Sequence, residues 1–393
     1  MRISTAGFQN RTLDLIQQKQ TELAHTQEQL ASGQRLTRSA DDPAAAARGV
    51  ALDSALEQVT RYQSNISRVR ERLVGEEAAL DEATEVLNSV RQLAVQAGGS
   101  AVDASAAQAI AGQIRSQLAD LYGIANRQGA DGQALFVGTR AVEQAFSATG
   151  AGTTYHGDAQ SREVRIGPGH RVADGDTGRA VFMDIPRGPT VQAAAANTGT
   201  AALTRLSVDA TAAPADLPWT VQFSGGNWTV TGDSGATLGT GPYSSDEAFV
   251  VNGVSLQFAN TPADGDQFTV QPAGQQDVFS RLDQIATALE GFDGSAGSRA
   301  QLTTTLYAGL EQIDTATDHV IDTRASVGNR LQSLDRAESS HEGVAVELMA
   351  TLSDLRDVDI AEAASRLSLQ ITALEAAQQT LVRVQGLSLF RLL

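Results

Sequence analysis

The chain has 393 residues, enough for two or three domains, and 41% of them are apolar. A net charge of −17 argues against a general nucleic-acid binder, which needs a basic face. The lack of cysteine removes disulfides, zinc–thiolate sites and thiol nucleophiles.

The charge is unevenly spread. Residues 1–40 carry a net +2 and residues 364–393 a net +2, so the stretch between them holds −21. Aromatics make up only 5%, which favours long helices packed through Ala and Leu over a large aromatic core. No stretch of about 18 apolar residues predicts a membrane span. The start, MRISTAGFQNRTLDLIQ, has no apolar run of the secretory kind.

In chain order, residues 11–32 read as a helix. Leu13, Ile16, Leu23 and Leu30 lie at 3/4 spacing, with Gln20 and Gln27 in the remaining seam positions and Gly33 as a stop. In SADDPAAAARG, Asp42 can cap a second helix that starts at Pro43. That helix carries the clearest repeat. Leu52, Val59, Ile66, Leu73, Leu80, Leu87 and Ala94 recur every seven residues. The companion row is Ala55, Tyr62, Val69, Glu76, Ala83, Val90 and Ala97, and only Glu76 breaks it. This is an a/d heptad seam, and residues 52–97 make a rod of roughly 70 Å. A third helix is expected over 105–126.

Between about 140 and 295 the heptads vanish and Gly, Thr, Asp and Pro rise. WTVQFSGGNWTVTG reads as two strands about Gly225-Gly226, and AFVVNGVSLQF as two more about Asn252-Gly253. FTVQP, EVRIG and AVFMDI read as further strands. Heptads then return: Leu306, Ile313, Val320, Val327, Leu334, His341, Leu348 and Leu355. Asp359 with Glu362 forms a capping box for a last helix bearing Leu367, Ile371, Leu374, Gln378 and Leu381. The expected fold is mainly α: long heptad helices from both chain ends in a coiled-coil bundle, with a β-rich domain inserted between them.

The ends pose a question. LVRVQGLSLFRLL closes the chain with eight large apolar residues, where chain ends are usually polar. The two terminal stripes can cover each other, but two helices alone leave much apolar surface wet. Either an intramolecular four-helix bundle hides it, or the arms bury it by associating with other copies. The residues of such an assembly interface are Ile3, Phe8, Leu13, Ile16, Leu23, Leu30, Leu367, Ile371, Leu374, Leu381, Leu387, Leu389 and Phe390. Gln20, Gln27 and Gln378 are expected to hydrogen-bond across the seams.

Catalytic motifs are missing. The five histidines form no HExxH, there is no GxSxG elbow, and Lys19, the sole lysine, precludes a Walker A motif. Asp174-Gly175-Asp176 and Asp264-Gly265-Asp266 lack the EF-hand spacing and read as solvated turns rather than calcium sites. No cofactor or metal is expected. Trp219, Trp228 and Tyr243 could stack on a sugar, but a small β core uses such residues equally well.

Several segments carry a family resemblance: MRIST, LASGQRLTRSADDPAAAARG, VRQLAVQAGG, ALFVGTRAVEQAF and the end LSLQITALEAAQQTLVRVQGLSLFRLL. They resemble the flagellin superfamily of bacterial flagellar axial proteins, and within it the hook–filament junction family. A looser match covers YHGDAQSREVRIGPGHRVADGDTGRAVF. The MRIST start and GLSLFRLL end favour that family over flagellin itself, which stays as the alternative. The resemblance implies a structural subunit, not an enzyme, that joins the hook to the flagellin filament. Arms 1–40 and 360–393 would pair as an inner coiled-coil layer. Segments 41–135 and 298–359 would form the next helical layer, and 136–297 a β-rich outer domain. Implied partners are hook-associated protein 1, flagellin, other copies in a ring and an export chaperone, with no nucleic acid and no membrane. Implied localisation is the extracellular flagellum, reached by type III export without a cleaved signal peptide.

Overall fold

The computed structural model describes residues 5–99, 101–149, 152–209 and 215–389. Helices α1 (Thr5–Ser32), α2 (Pro43–Ala97) and α3 (Ala104–Ala125) come first. Short strands follow: β1 (Phe146–Thr149), β2 (Gly152–Tyr155), β3 (Glu163–Gly167) and β4 (His170–Ala173). After a one-turn helix α4 (Gly178–Phe182) come β5 (Ile185–Arg187), β6 (Thr190–Ala193), β7 (Ala202–Val208), β8 (Trp219–Ser224) and β9 (Asn227–Thr231). Then β10 (Thr237–Pro242), β11 (Ala248–Val251), β12 (Val254–Ala259), β13 (Gln267–Gln271) and β14 (Gly274–Gln276) lead into α5 (Val278–Glu290), α6 (Ala296–Arg356) and α7 (Ile360–Leu389). The mainly α architecture with a central β-rich region is as the patterning predicts. The chain divides into a smaller unit, residues 1–64 with 336–393, and a larger one, residues 65–335.

In the larger unit the heptads are the core. Ile66, Val69, Leu73, Leu80, Ala83, Leu87, Val90 and Ala94 of α2 are buried, as are Leu306, Ile313, Val320, Val327 and Leu334 of α6. Ion pairs join the two helices at Arg70–Asp335 (2.8 Å), Arg324–Glu77 (2.7 Å) and Arg91–Asp314 (2.5 Å). The partner numbers fall on one side as they rise on the other, so this stretch of α2 and α6 runs antiparallel. The pairs are largely exposed and contribute register more than stability. Helix α3 packs on α5. Beside them Phe136, Phe146, Phe182 and Phe279 form a buried aromatic cluster with centroids 5.1–5.8 Å apart.

The strands build a five-stranded antiparallel sheet, β10-β9-β8-β13-β6, and a three-stranded one, β11-β12-β7. They share a core of Trp219, Val221, Phe223, Val254, Leu256, Phe258 and Phe268. Both predicted hairpins form. Gly225 and Gly226 take φ of 58° and 75°, and Asn252 and Gly253 take 45° and 78°, as a tight two-residue turn requires. The sugar-stacking option finds no support. Trp219 is fully buried, Trp228 stacks on Phe249 at 4.3 Å, and the Tyr243 hydroxyl donates to the Phe258 and Asn260 carbonyls.

Three sequence expectations need correction. AVFMDI is not one strand. Thr177 caps α4, accepting from the Ala180 N–H at 3.3 Å, and the strand β5 begins only at Ile185. The capping box is half formed. Asp359 accepts from the Ala361 and Glu362 N–H groups at 2.9 and 3.0 Å, but the Glu362 carboxylate turns to Arg366 at 2.5 Å. The Asp-Gly-Asp turns are not solvated throughout. Asp174 is buried against Arg162 (2.5 Å) and Arg72 (3.8 Å). Asp266 is buried and accepts from the N–H groups of Thr198, Gly199 and Ala263. Each carboxylate fastens a loop, and among the described residues no cluster suited to a metal occurs.

Candidate assembly surface

The positions expected at an assembly interface fall in the smaller unit. Gly33, with φ of 71°, ends α1. The chain then crosses the start of α7: the Arg35 N–H donates to the Arg356 carbonyl at 2.6 Å and the Val358 N–H to the Gly33 carbonyl at 3.0 Å. Asp41 clasps the following turn through the Arg38 N–H at 2.8 Å and the Thr37 hydroxyl at 3.2 Å, and the Arg38 N–H holds its carboxyl below the usual range. Asp42 then caps α2 through the Ala45 N–H at 2.9 Å. Because the end of α1 is tied to the start of α7, the two helices pack antiparallel. In the same unit Tyr62 of α2 stacks on His341 of α6 at 5.3 Å, and Arg356 pairs with Asp53. The one polar member of the α6 heptad row is therefore a buried, stacked imidazole.

The seam between α1 and α7 differs in detail from the sequence expectation. Ile16 is buried and Leu23 and Leu30 are half-buried, but the steps between them fall at Thr12, Lys19 and Thr26. Leu13 is 47% exposed, and Gln20 and Gln27 face solvent. The shift of one residue is tolerated because each polar group is satisfied locally. The Thr26 hydroxyl donates to the Glu22 carbonyl at 3.0 Å, and Lys19 meets the Glu22 carboxylate at 2.7 Å. On α7 the covered positions are Ala363, Leu367, Gln370, Leu374, Ala377 and Leu381, alternating steps of four and three. Ile371 is 41% exposed, and Gln378 is exposed instead of bonding across the seam. Phe8, Leu387 and Leu389 lie on the two helices, with side chains outside the described set; Ile3 and Phe390 lie outside the described residues altogether.

Pairing leaves apolar side chains in water on both flanks of the seam. Of the fourteen exposed large hydrophobics among the described residues, ten belong to the smaller unit. They include Leu13 and Leu15 on α1, and Ile360, Leu369, Ile371 and Val382 on α7. Leu15 and Leu369 were not anticipated, although each lies outside the heptad seam, whereas Val382 belongs to the apolar tail that the sequence singles out. No described helix is long and apolar enough to cross a membrane.

Residues 3–141 match the bacterial flagellin N-terminal helical region and residues 310–393 the C-terminal helical region. Residues 192–272 match the D2-like domain of flagellar hook-associated protein 1. Flagellar hook-associated protein 3 of Salmonella typhimurium is 22% identical, with 100% of this chain and 99% of that one aligned. The Xanthomonas campestris FlgL structure is 32% identical, with a TM-score of 0.72, and the match covers 77% of this chain and 99% of that one. The flagellar junction protein FlgL of Legionella pneumophila is 26% identical, with a TM-score of 0.70, over 79% and 100% of the respective chains. With that identity to the Xanthomonas protein across nearly its whole length, and with flagellin-type helical regions at both ends, the chain belongs to the FlgL family of flagellar hook–filament junction proteins in the flagellin superfamily.

Proposed function

We propose that the chain is a structural subunit of the bacterial flagellum that joins the hook to the flagellin filament and works by self-assembly through its terminal helices. The observation that carries this reading is an antiparallel α1–α7 pair that leaves Leu15, Leu369 and Val382 in water, in a family of junction proteins. In this reading arms 1–40 and 360–393 form an inner coiled-coil layer around the assembly axis. Segments 41–135 and 298–359 form the layer outside it, and the β-rich region 136–297 faces outward. The interface comprises Ile3, Phe8, Leu13, Ile16, Leu23, Leu30, Leu367, Ile371, Leu374, Leu381, Leu387, Leu389 and Phe390. The partners are hook-associated protein 1 on one side, flagellin on the other, further copies in the ring, and an export chaperone that masks the C-terminal stripe. The chain leaves the cell by the flagellar export route without a cleaved signal peptide, and it has no catalytic activity.

Gene deletion in the source bacterium tests the reading. Hooks without filaments, with unpolymerised flagellin shed into the medium, are expected. Bare hooks with no flagellin outside would instead make this chain the filament subunit, and normal filaments would remove it from the junction.

A further inference from the structure

Arg281 is a part-buried cation without a carboxylate partner among the described residues. Many other arginines of the larger unit, among them Arg70, Arg72, Arg91, Arg115, Arg127, Arg162, Arg324 and Arg330, meet a carboxylate. Arg281, on the first turns of α5, meets none among the described residues, and its Nε is sealed from solvent without an acceptor. A donor left so is destabilising until something accepts from it. Nor is its surrounding neutral. Burial and the like charge of Arg187 push its pKa down to about 10. Among the described residues Arg187 itself reaches only neutral oxygens, the Thr190 hydroxyl at 3.1 Å and the Gly188 carbonyl at 3.5 Å.

Arg281 lines a groove of about 440 Å³ between the edge strand β6 and the helices α5 and α6, and Thr190 lines it too. Two further donors line it, the side-chain amides of Gln192 and Gln284, neither of which is hydrogen-bonded among the described residues. Asp283 stands at the rim, but its carboxylate is already held by Arg115, which also holds Glu290 at 3.0 Å. The groove thus offers an unpaired guanidinium and two free amide donors, with no free acceptor charge against them.

We propose that this groove is a binding site for a carboxylate, received by Arg281 with Gln192 and Gln284 as neutral donors. A planar guanidinium fork fits a planar carboxylate in two parallel hydrogen bonds. The Asp283 carboxylate at the rim disfavours a dianion such as phosphate or sulfate. The carboxylate has two possible sources with one chemistry. One is a free organic acid. The other is an Asp or Glu side chain on another copy of this chain, whose 46 acidic residues outnumber its 29 basic ones.

The test uses the full chain labelled with ¹⁵N-arginine, with the Arg281 Nε–H signal assigned by its loss in Arg281→Gln. Sodium acetate is titrated against sodium sulfate and sodium chloride at matched ionic strength. A saturable shift of the Arg281 signal with acetate, absent with chloride and at least about tenfold weaker with sulfate, is expected. Arg281→Gln should melt no lower than the parent, since it removes an uncompensated cation beside Arg187; a purely structural arginine would instead lower the melting point. The second arm separates the sources. The chain has no cysteine, so Ala288→Cys, on the groove wall but outside the set of donors, carries a single benzophenone photo-cross-linker. Cross-linked dimers that acetate suppresses assign the carboxylate to another copy, whereas acetate binding without dimers assigns it to a free acid. This titration reads the isolated chain and stands whether or not the junction role holds. No saturable shift and no suppressible dimer, or tighter binding of sulfate than acetate, overturns the proposal.

Discussion

Glu76 is the one residue that interrupts the d row of α2, and the structure gives the interruption a purpose. Its side chain is 1% exposed and accepts the Asp176 N–H at 2.9 Å, while Asp176 pairs with Arg330. Burial, then the charge of Asp176, pushes the Glu76 carboxyl up to about 8. Near neutrality Glu76 is therefore protonated, beside the Asp176 that pairs with Arg330. The break in the row was legible in the sequence, but its reason was not, because the partner lies 100 residues away in a turn that reads as solvated. The sign of the pH effect follows from the raised value. The folded state holds the proton more tightly than the unfolded chain, whose value is near 4.5. The stabilisation is thus complete below about 4.5 and is lost as pH rises through about 8. Glu76→Gln copies the protonated form and does not titrate. The parent should lose on the order of 3–5 kcal/mol relative to Glu76→Gln between pH 5 and pH 9. Urea unfolding followed by tryptophan fluorescence reads this, since Trp219 and Trp228 both lie in the larger unit. Parallel stability curves for the two proteins would refute the buried proton.

Among elements, the long ones were legible and the short ones were not. The a/d repeat locates α2 and α6 because every seventh residue had to be apolar to be buried, and Gly225-Gly226 and Asn252-Gly253 locate two hairpins because few other residues accept positive φ. By contrast α4 is a single turn whose apolar residues AVF suit a strand equally well, and only Thr177 and the neighbouring aromatic cluster decide. Gly178 at its first position shows how tight that decision is. A Cβ there would lie 2.6 Å from two ring atoms of Phe146 and 2.8 Å from the Phe136 carbonyl, to which the Gly178 N–H donates at 2.8 Å. Gly178→Ala must therefore push Phe146 out of the cluster, and a loss of about 1–3 kcal/mol is expected. Gly112, inside α3, meets nothing within 4 Å, and Gly112→Ala should instead add roughly 0.5–1 kcal/mol. A urea midpoint above the parent for Gly178→Ala, or below it for Gly112→Ala, would contradict the corresponding assignment. The α1 seam was misread by one residue for a related reason. Leu13 and Gln20 satisfy a 3/4 spacing as well as Thr12 and Lys19 do, and the choice rests on α7, which spacing within α1 cannot see.

At the scale of the whole molecule the question is whether the apolar face is wasted in the monomer or reserved for assembly. Leu374 and Leu369 on α7 separate the two. Leu374 is half-buried in the α1–α7 seam, whereas Leu369 is 72% exposed and outside it. Leu374→Asp places a charge in the seam, where it lacks a partner, and should loosen the α1–α7 pair even in the isolated chain. Its failure to assemble would therefore show only that the pair must form first. Leu369→Asp differs. In the isolated chain it exchanges one solvated side chain for another, so melting and helix content should stay within about 0.5 kcal/mol of the parent. In an assembly that buries this face, each subunit forfeits roughly 1.5–3 kcal/mol of leucine burial and also desolvates a carboxylate. The cost recurs at every subunit of a ring, so a change silent in the monomer should abolish incorporation. The measurement is complementation of a deletion strain, with hook tips imaged by electron microscopy and the secreted chain assayed in the medium. Secreted Leu369→Asp chain absent from the hook tip, with filaments missing, places Leu369 in the assembled interface. Normal filaments would mean that this flank of α7 stays in water, leaving the seam and the opposite flank, with Ile360, Ile371 and Val382, to hold the junction together.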